Sequence, residues 1–188
     1  MNSLKSLFRH HNAQKSDIHG DLYDRIFHTV RDKKIVFFEI GVYQGGSMRA
    51  WSDYFSEAAI YGLDNYAAIS KDISEEIENV GRAVIFKGQQ ECEEILKRII
   101  DQVGGIFDVI IDDGGHRSLQ IESSFKVLFP FLASDGLYII EDLHLAPKTI
   151  EFIESSDLNY EFCRGYDNFD KDICVIRKKG AIKSQKIH

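Results

Sequence analysis

The stretch KIVFFEIGVYQGGS, residues 34–47, decides the fold class. Its first seven residues form a short apolar run of β-prone side chains, which predicts a strand buried on both faces. Gly41 and Gly45 follow, and they let the backbone turn sharply and approach a ligand closely. The helix predicted over 47–55 begins with free N–H groups and the positive end of its dipole. Strand, glycine turn and helix in this order predict a ligand-binding βα unit.

The same alternation continues along the chain and sets the architecture. Strand, acidic or glycine-containing turn and helix follow one another, which implies an α/β fold with a mostly parallel, doubly wound sheet and helices on both faces. In such sheets ligands bind beyond the carboxyl ends of the strands. The further strands are predicted at 59–63, 83–86, 107–111, 137–140, 160–165 and 172–177, and the further helices at 69–79, 92–103, 119–132 and 147–154.

Composition bounds the kind of protein and its partners. The 188 residues suit one domain, and 44% hydrophobic with 28% charged residues is ordinary for a globular chain. A net charge of −7 argues against a nucleic-acid partner, because phosphate binding needs a basic surface. No apolar run approaches the roughly 20 residues that cross a bilayer, and the first residues lack a secretory apolar centre. We therefore expect a cytoplasmic protein with no membrane partner.

The cysteines point the same way. Their number is odd, and their spacing is neither that of a zinc site nor that of a disulfide framework, which fits a reducing compartment. They are Cys92, Cys163 and Cys174.

The first candidate site is the glycine turn and the acids beside it. A dinucleotide fingerprint needs a further glycine where Val42 and Tyr43 stand, so a pyrophosphate fits poorly. Glu39 would repel a phosphate but suits a ligand that bears an ammonium or sulfonium group. Asp64 ends the second strand, where a carboxylate can accept hydrogen bonds from ribose hydroxyls. An ordinary strand-to-helix turn remains the alternative.

The spacing E-x-G-x-x-x-G with a later acid resembles the S-adenosylmethionine-binding signature of class I methyltransferases, and the resemblance covers residues 34–177. It implies a Rossmann-like sheet of seven strands in the order 3-2-1-4-5-7-6, with the last strand antiparallel. Gln89 or Gln90 would read the adenine edge, or either could sit in an exposed turn. The resemblance places Glu39, Gly41, Gly45 and Asp64 at the cofactor. Further candidate cofactor-binding residues are Ser47, Asn65, Gln89 and Asp112.

A second candidate site follows strands four and five. Asp113 and His116 come after the fourth strand, and Glu141 and Asp142 after the fifth. Because neighbouring strands lie about 5 Å apart, these side chains should converge. Three carboxylates repel one another unless a cation or a raised pKa relieves them, and oxygen ligands favour Mg²⁺, with Mn²⁺ or Ca²⁺ as alternatives. The same acids could instead cap a helix or face solvent.

Three further segments narrow the resemblance: FDVIIDDGGH, FPFL and GLYIIEDLH, residues 107–116, 129–132 and 136–144. They resemble the metal-dependent O-methyltransferases of macrolide sugar tailoring and related proteins of surface-polysaccharide pathways. KSDIHGDLY, residues 15–23, resembles that group's T-D-K-x-x-x-x-Y segment, with Ile18 in place of the lysine. The resemblance implies S-adenosylmethionine and Mg²⁺ as cofactors and a hydroxyl of a sugar-containing small molecule as acceptor. It makes Asp113, Glu141 and Asp142 metal ligands, and His116 the general base.

The chemistry that follows is methyl transfer to a polarised hydroxyl. Coordination to Mg²⁺ polarises the hydroxyl, and an imidazole takes its proton near neutral pH. His144 is a second candidate base. The alternatives are a metal-independent methyltransferase, a nicotinamide-dependent oxidoreductase and a non-catalytic binding module. We expect an N-terminal helical arm or lid at 1–30, the methyltransferase domain at 31–179 and a disordered basic tail at 180–188. The sequence leaves open whether the chain forms a homo-oligomer.

Overall fold

The structure is a computed structural model that describes residues 2–165 and 169–178. The predicted basic tail, residues 180–188, lies outside the described residues. The helices are α1 Leu4–His10, α2 Asp17–Phe27, α3 Gly46–Tyr54, α4 Lys71–Glu78, α5 Glu93–Val103, α6 Ser118–Leu128 and α7 Pro147–Glu154. The strands are β1 Val36–Ile40, β2 Ala59–Asp64, β3 Ala83–Lys87, β4 Phe107–Asp112, β5 Leu132–Ile140, β6 Asn159–Cys163 and β7 Ile173–Arg177.

The strands form one sheet in the order β3-β2-β1-β4-β5-β7-β6. Neighbours from β3 through β5 pair in parallel, whereas β7 runs antiparallel to both β5 and β6. The predicted doubly wound α/β fold and its strand order are therefore confirmed. Because β1 and β4 are adjacent at the centre, the turns that follow them meet at the same edge of the sheet.

The core occupies both faces of this sheet. Phe37 and Phe38 are consecutive in β1 and point to opposite faces, and both are fully buried. Phe37 packs with Trp51 of α3 on one face, at a ring-centroid distance of 5.1 Å. Phe38 packs with Phe107 of β4 on the other face, at 5.3 Å. Burial of each such ring stabilises the fold by roughly 1.5–3 kcal/mol.

The two N-terminal helices pack on the Trp51 face. Phe8 of α1 meets Trp51 edge-on, with ring centroids 5.0 Å apart, and Tyr23 of α2 meets it at 5.5 Å. The helices also lie close to each other: a Cβ at Gly20 would come within 2.5 Å of the Lys5 Cα. This packing holds residues 11–16, which connect α1 to α2, against the carboxyl edge of the sheet.

Strand β5 begins earlier than its sequence suggests. The residues before 137 are polar and contain glycine, which predicts a turn, but β5 starts at Leu132. Helix α6 stops at Leu128, because Pro130 lies in a 3-10 turn over Phe129–Phe131. Leu132 pairs with Phe107, and an irregularity in the register between Phe107 and Val109 accommodates the polar residues inside the strand. The predicted helix over 119–132 was thus too long, and the predicted strand too short.

Within the described part of the chain, no helix combines the length and apolar character that a membrane crossing requires.

Candidate active site

A cavity of about 500 Å³ opens at the carboxyl edge of the sheet, where the turns after β1, β2, β3, β4 and β5 meet. Its size is that of a pocket for a small molecule or cofactor. The cavity brings together residues from both predicted sites. Those that line it are Gly41, Asp64, Asn65 and Gln89 from the predicted cofactor set, and Asp113, His116 and Asp142 from the predicted metal and base set.

The cavity has two parts: a cofactor half lined by Asp64, Asn65 and Gln89, and an acidic half lined by Asp113, His116 and Asp142. Gly41 forms the wall between them. Its φ is +89°, a left-handed conformation that suits glycine. A Cβ there would lie 2.0 Å from the Asp113 carbonyl oxygen, so no side chain fits. The turn after β1 therefore packs directly on the turn after β4, and the need for glycine at this position is steric as well as conformational.

Asp64 anchors the glycine turn. Its Oδ2 accepts hydrogen bonds from the N–H groups of Val42 (2.9 Å) and Tyr43 (3.0 Å), and its Oδ1 accepts one from Tyr66 (2.6 Å). Gly45 has a φ of +77° and stands at the N-cap of α3. The carboxylate thus lies in the cavity wall with its position fixed by backbone donors, while its remaining lone pairs can accept from a ligand.

Gln90 has a larger role than the sequence indicated. Gln89 is exposed on the cavity wall, whereas Gln90 also lines the cavity but is only 6% exposed. Gln90 donates to Asp112 Oδ1 at 3.1 Å and accepts a hydrogen bond from the N–H of Gly115. This side chain therefore ties the end of β3 to the turn that carries His116. The buried amide gave no sequence signal beyond its place after a strand.

Asp112 lies behind the cavity, not on its wall. It is 2% exposed, and its carboxylate accepts hydrogen bonds from Gln90, from Ser124 (2.5 Å) and from Tyr138 (3.3 Å). Burial raises the pKa of Asp112 to about 6, although these donors oppose the shift. In this structure Asp112 orders the turn after β4, and its predicted contact with the cofactor stays a prediction.

Glu39 and Ser47 form a buried pair beneath the glycine turn. Glu39 is fully buried and accepts hydrogen bonds from Ser47 Oγ at 2.7 Å and from Trp51 Nε1 at 3.0 Å. Burial raises the pKa of Glu39 to about 7, against the opposing charge of Lys15. Ser47 lines a separate recess of about 50 Å³ next to the main cavity. Direct contacts of either residue with a cofactor also remain predictions.

The turns after β4 and β5 bring Asp113, His116 and Asp142 together. Potential ligand atoms of all three lie within 4.8 Å of one another. His116 Nε2 is 3.5 Å from Asp142 Oδ2. Asp142 has a φ of +53°, an uncommon conformation for a residue with a side chain, and it directs the chain into the following 3-10 turn. This cluster, Asp113–His116–Asp142, is called the acidic cluster below.

Glu141 points away from the acidic cluster, towards the N-terminal helices. It is 2% exposed, and its Oε1 accepts hydrogen bonds from Lys15 Nζ at 2.7 Å and Tyr23 Oη at 2.6 Å. His19 Nε2 lies 3.2 Å from its Oε2. Burial opposes ionisation, but the charges of Lys15 and His19 keep the pKa of Glu141 well below its ordinary value.

Lys15 is the residue of this site that the sequence did not reveal. Its side chain is 1% exposed, and its Nζ lies 2.8 Å from Asp113 Oδ2, 2.7 Å from Glu141 Oε1 and 3.9 Å from Glu39 Oε1. Burial alone would lower the pKa of Lys15, but the surrounding carboxylates raise it above its ordinary value. Its segment, KSDIHGDLY, resembled a known motif, yet nothing local in the sequence pairs Lys15 with acids.

His144, the second candidate base, lies beside the cavity and does not line it. Its Nδ1 contacts the buried carboxylate of Asp172, and its ring stacks on Phe169 at a centroid distance of 4.7 Å. Asp142, His144 and Asp172 form a second group whose polar atoms lie within 4.8 Å of one another. His144 is thus oriented by an acid and stands two residues after Asp142 in the chain.

Comparison with known proteins places these features in context. No model of a known protein family matches the chain. Mycinamicin VI 2''-O-methyltransferase of Micromonospora griseorubida is 37% identical over 131 residues, which cover 66% of this chain and 31% of that protein. The 8-demethyl-8-alpha-L-rhamnosyl tetracenomycin-C 2'-O-methyltransferase of Streptomyces olivaceus is 35% identical over 149 residues, covering 74% and 37%. The chain spans about a third of the length of these curated relatives.

A solved structure agrees with the fold. The MycE methyltransferase of the mycinamycin biosynthetic pathway, in complex with Mg and SAH, superimposes with a TM-score of 0.79 at 24% identity. The match covers 95% of this chain and 55% of that one. The resemblance drawn from the glycine turn and the acidic motifs is confirmed: this chain has the fold of the class I S-adenosylmethionine-dependent methyltransferases and is related in sequence to sugar O-methyltransferases of macrolide and tetracenomycin pathways.

Proposed function

We propose that the protein is an S-adenosylmethionine-dependent O-methyltransferase, assisted by Mg²⁺, that acts on a hydroxyl of a sugar or sugar-containing small molecule. The observation that carries the proposal is the acidic cluster: two carboxylates and an imidazole, within 4.8 Å of one another, on the wall of a cavity that the glycine turn also lines. The named relatives methylate sugar hydroxyls, which supports the same reaction class here.

The cofactor half of the cavity fits S-adenosylmethionine. The Asp64 carboxylate suits the ribose hydroxyls, and the exposed Gln89 amide suits the adenine edge. Gly41 leaves the backbone open to close approach by the methionine part. The cavity volume of about 500 Å³ agrees with one ligand of this size.

The donor set of the acidic cluster fits a hard divalent cation. Asp113 and Asp142 offer carboxylate oxygens, which Mg²⁺ prefers, and Glu141 is the next acid along the same edge. A bound Mg²⁺ supplies Lewis acidity that makes an acceptor hydroxyl easier to deprotonate. His116 lies on the cavity wall and can take the hydroxyl proton. Asp142, 3.5 Å from His116 Nε2, stabilises the imidazolium that results.

The transfer itself depends on positioning. The acceptor oxygen forms a bond to the methyl carbon as the bond from that carbon to sulfur breaks, and S-adenosylhomocysteine and a protonated His116 remain. Gly41 and Asp113 are in backbone contact, so the two halves of the cavity hold donor and acceptor at a fixed separation.

Lys15 gives specific support to a second candidate, a metal-independent methyltransferase. It already neutralises part of the charge on Asp113 and Glu141, at 2.8 and 2.7 Å. The folded site would then not need Mg²⁺ to balance the charge of these acids, and His116 would take the hydroxyl proton without a metal ion.

We further propose that the N-terminal region, residues 1–30, covers the acceptor side of the cavity. Gln14 lines the cavity, and Lys15, His19 and Tyr23 all contact Glu141, the neighbour in sequence of the cavity residue Asp142. The acceptor would be bound between this region and the acidic cluster.

The test is transfer of a labelled methyl group from S-adenosylmethionine to a panel of rhamnosides and other deoxysugar glycosides. We expect a methyl ether on at least one member, loss of turnover with EDTA and recovery with Mg²⁺. Turnover that survives EDTA would select the metal-independent candidate. A melting temperature that NAD raises and S-adenosylhomocysteine does not would overturn the methyltransferase assignment, because a ligand that binds the folded state stabilises it by RT ln(1 + [L]/Kd).

A further inference from the structure

Lys15 lies between Asp113 and Glu141, two of the three acids that the sequence resemblance makes metal ligands, although Glu141 is not a member of the acidic cluster. Its Nζ is in hydrogen-bond contact with Asp113 and Glu141, the two acids that follow neighbouring strands. Its side chain is 1% exposed, so water contributes little to the solvation of its charge. The ammonium group therefore serves as the internal counter-ion of this edge of the sheet.

A divalent cation and this ammonium group cannot share the same oxygens. Mg²⁺ binds carboxylate oxygens at about 2.0–2.1 Å and demands near-octahedral geometry. Lys15 Nζ lies 2.8 and 2.7 Å from the oxygens of Asp113 and Glu141, and so fills the position where the ion would join them. Two like charges so close, away from water, repel strongly. Binding of the ion to Asp113 Oδ2 and Glu141 Oε1 together therefore requires Lys15 to leave.

We propose that Lys15 and a divalent cation compete for Asp113 and Glu141, so that Mg²⁺ binding releases the Lys15 side chain from these two acids. The inference rests on the proposed function, which places Mg²⁺ here. It adds that the connection between α1 and α2 is a sensor of the ion. Gln14, the neighbour of Lys15, lines the cavity, and Ser16 Oγ contacts His19 Nδ1 at 2.8 Å. Release of Lys15 thus changes the wall that faces the acceptor.

The first experiment measures Mg²⁺ affinity by calorimetry on the protein saturated with S-adenosylhomocysteine. Lys15→Met removes the internal cation and keeps an unbranched side chain. Linked ligands usually couple by roughly 5- to 150-fold, and we expect Lys15→Met to bind Mg²⁺ at least about tenfold more tightly than the unaltered protein. Lys5→Met is the matched control: it makes the same change of charge at an ion pair with Asp21, where the Lys5 side chain is 34% exposed.

The second experiment needs no variant and covers the case that Lys15→Met does not fold. Acetylation of lysines by an N-hydroxysuccinimide ester is followed by peptide mass spectrometry, with and without Mg²⁺ in the presence of S-adenosylhomocysteine. Lys15 should be protected without the ion and labelled several times faster with it, while the rate at Lys5 stays constant. Lys15 that remains protected at a saturating Mg²⁺ concentration overturns the competition.

The outcomes separate this inference from the function on which it rests. Equal Mg²⁺ affinity in the unaltered protein and in Lys15→Met overturns the competition but leaves a metal-assisted enzyme. Absence of Mg²⁺ binding in both proteins, with S-adenosylhomocysteine bound, overturns the metal in the proposed function as well. Binding in Lys15→Met alone supports the competition and shows that the lysine holds the site closed to the ion.

Discussion

The two halves of the cavity are held together in different ways. In the cofactor half, the glycine turn is fixed by a near neighbour: Asp64 accepts hydrogen bonds from Val42 and Tyr43, at the ends of two paired strands. In the acidic half, Asp113 and Glu141 are held by Lys15, which lies 98 and 126 residues away along the chain. The first half uses backbone donors, whereas the second uses a buried charge.

This difference has a physical consequence. Backbone donors hold the cofactor half in place whether or not a ligand is bound, because their acceptor Asp64 ends the strand that pairs with β1. The acidic half gathers like charges, whose burial is costly unless a cation is present. We therefore expect the cofactor half to bind its ligand without rearrangement and the acidic half to exchange one cation for another. Substitutions confined to one half test this contrast.

The largest effect is expected in the acidic half. His116→Ala should lower the rate of methyl transfer by roughly 10²- to 10⁴-fold, the usual contribution of a general base. The affinity for S-adenosylhomocysteine should stay within about threefold of normal, because the glycine turn and Asp64 are joined by their own hydrogen bonds, in which His116 takes no part. Single-turnover kinetics with labelled cofactor, beside calorimetry, measure both quantities.

His144→Ala is the matched variant for that experiment. His144 contacts Asp172 and does not line the cavity, so its loss should lower the rate far less. Near-normal turnover in His116→Ala together with a large loss in His144→Ala would exchange the roles of the two histidines.

A smaller effect is expected where the halves meet. Gly41→Ala should destabilise the fold by roughly 2–5 kcal/mol, from the strain of a left-handed alanine and from overpacking. A Cβ would lie 2.0 Å from the Asp113 carbonyl oxygen, so the two turns must move apart. Urea unfolding measures the loss, and binding of S-adenosylhomocysteine should weaken with it.

Gly81→Ala isolates the steric part of this prediction. Gly81 also has a positive φ, +77°, but a Cβ there meets nothing within 4 Å. It should therefore show the conformational strain alone, at about 1–2 kcal/mol. Equal losses in the two variants would mean that the contact between the turns contributes nothing.

Sequence patterns predicted the fold well because its determinants are local. The apolar run of β1, the glycine turn and the repeated strand–helix alternation gave the sheet, and the resemblance gave its order. The start of β5 was missed, because a polar stretch from Ala133 to Gly136 is typical of a turn; pairing with β4 carries the strand through it. Tertiary pairing decided that element, not local propensity.

The sequence was enough to predict where the candidate site lies, but not which of its charged side chains pair with one another. Each acid stands after a strand, and parallel strands bring such residues to one edge. Lys15 stands just before α2 and is far in sequence from these acids. Only the packing of α1 and α2 on Trp51 brings it to that edge of the sheet. Which acids pair with a lysine and which face the cavity depends on that packing, so Glu141 and Asp142, adjacent in sequence, have different surroundings.

The smallest effect is expected in the cofactor half, from Asp64→Asn. Both carboxylate oxygens accept backbone N–H groups, so in either orientation the amide turns its own NH₂ towards a donor. Loss of one hydrogen bond to a charged group costs about 1.5 kcal/mol at least, so S-adenosylhomocysteine should bind roughly tenfold more weakly. Mg²⁺ affinity should not change, and Asp101→Asn on the exposed face of α5 is the control for charge. If Asp64→Asn weakened Mg²⁺ binding as strongly as cofactor binding, the two halves would act as one unit and the contrast between them would fail.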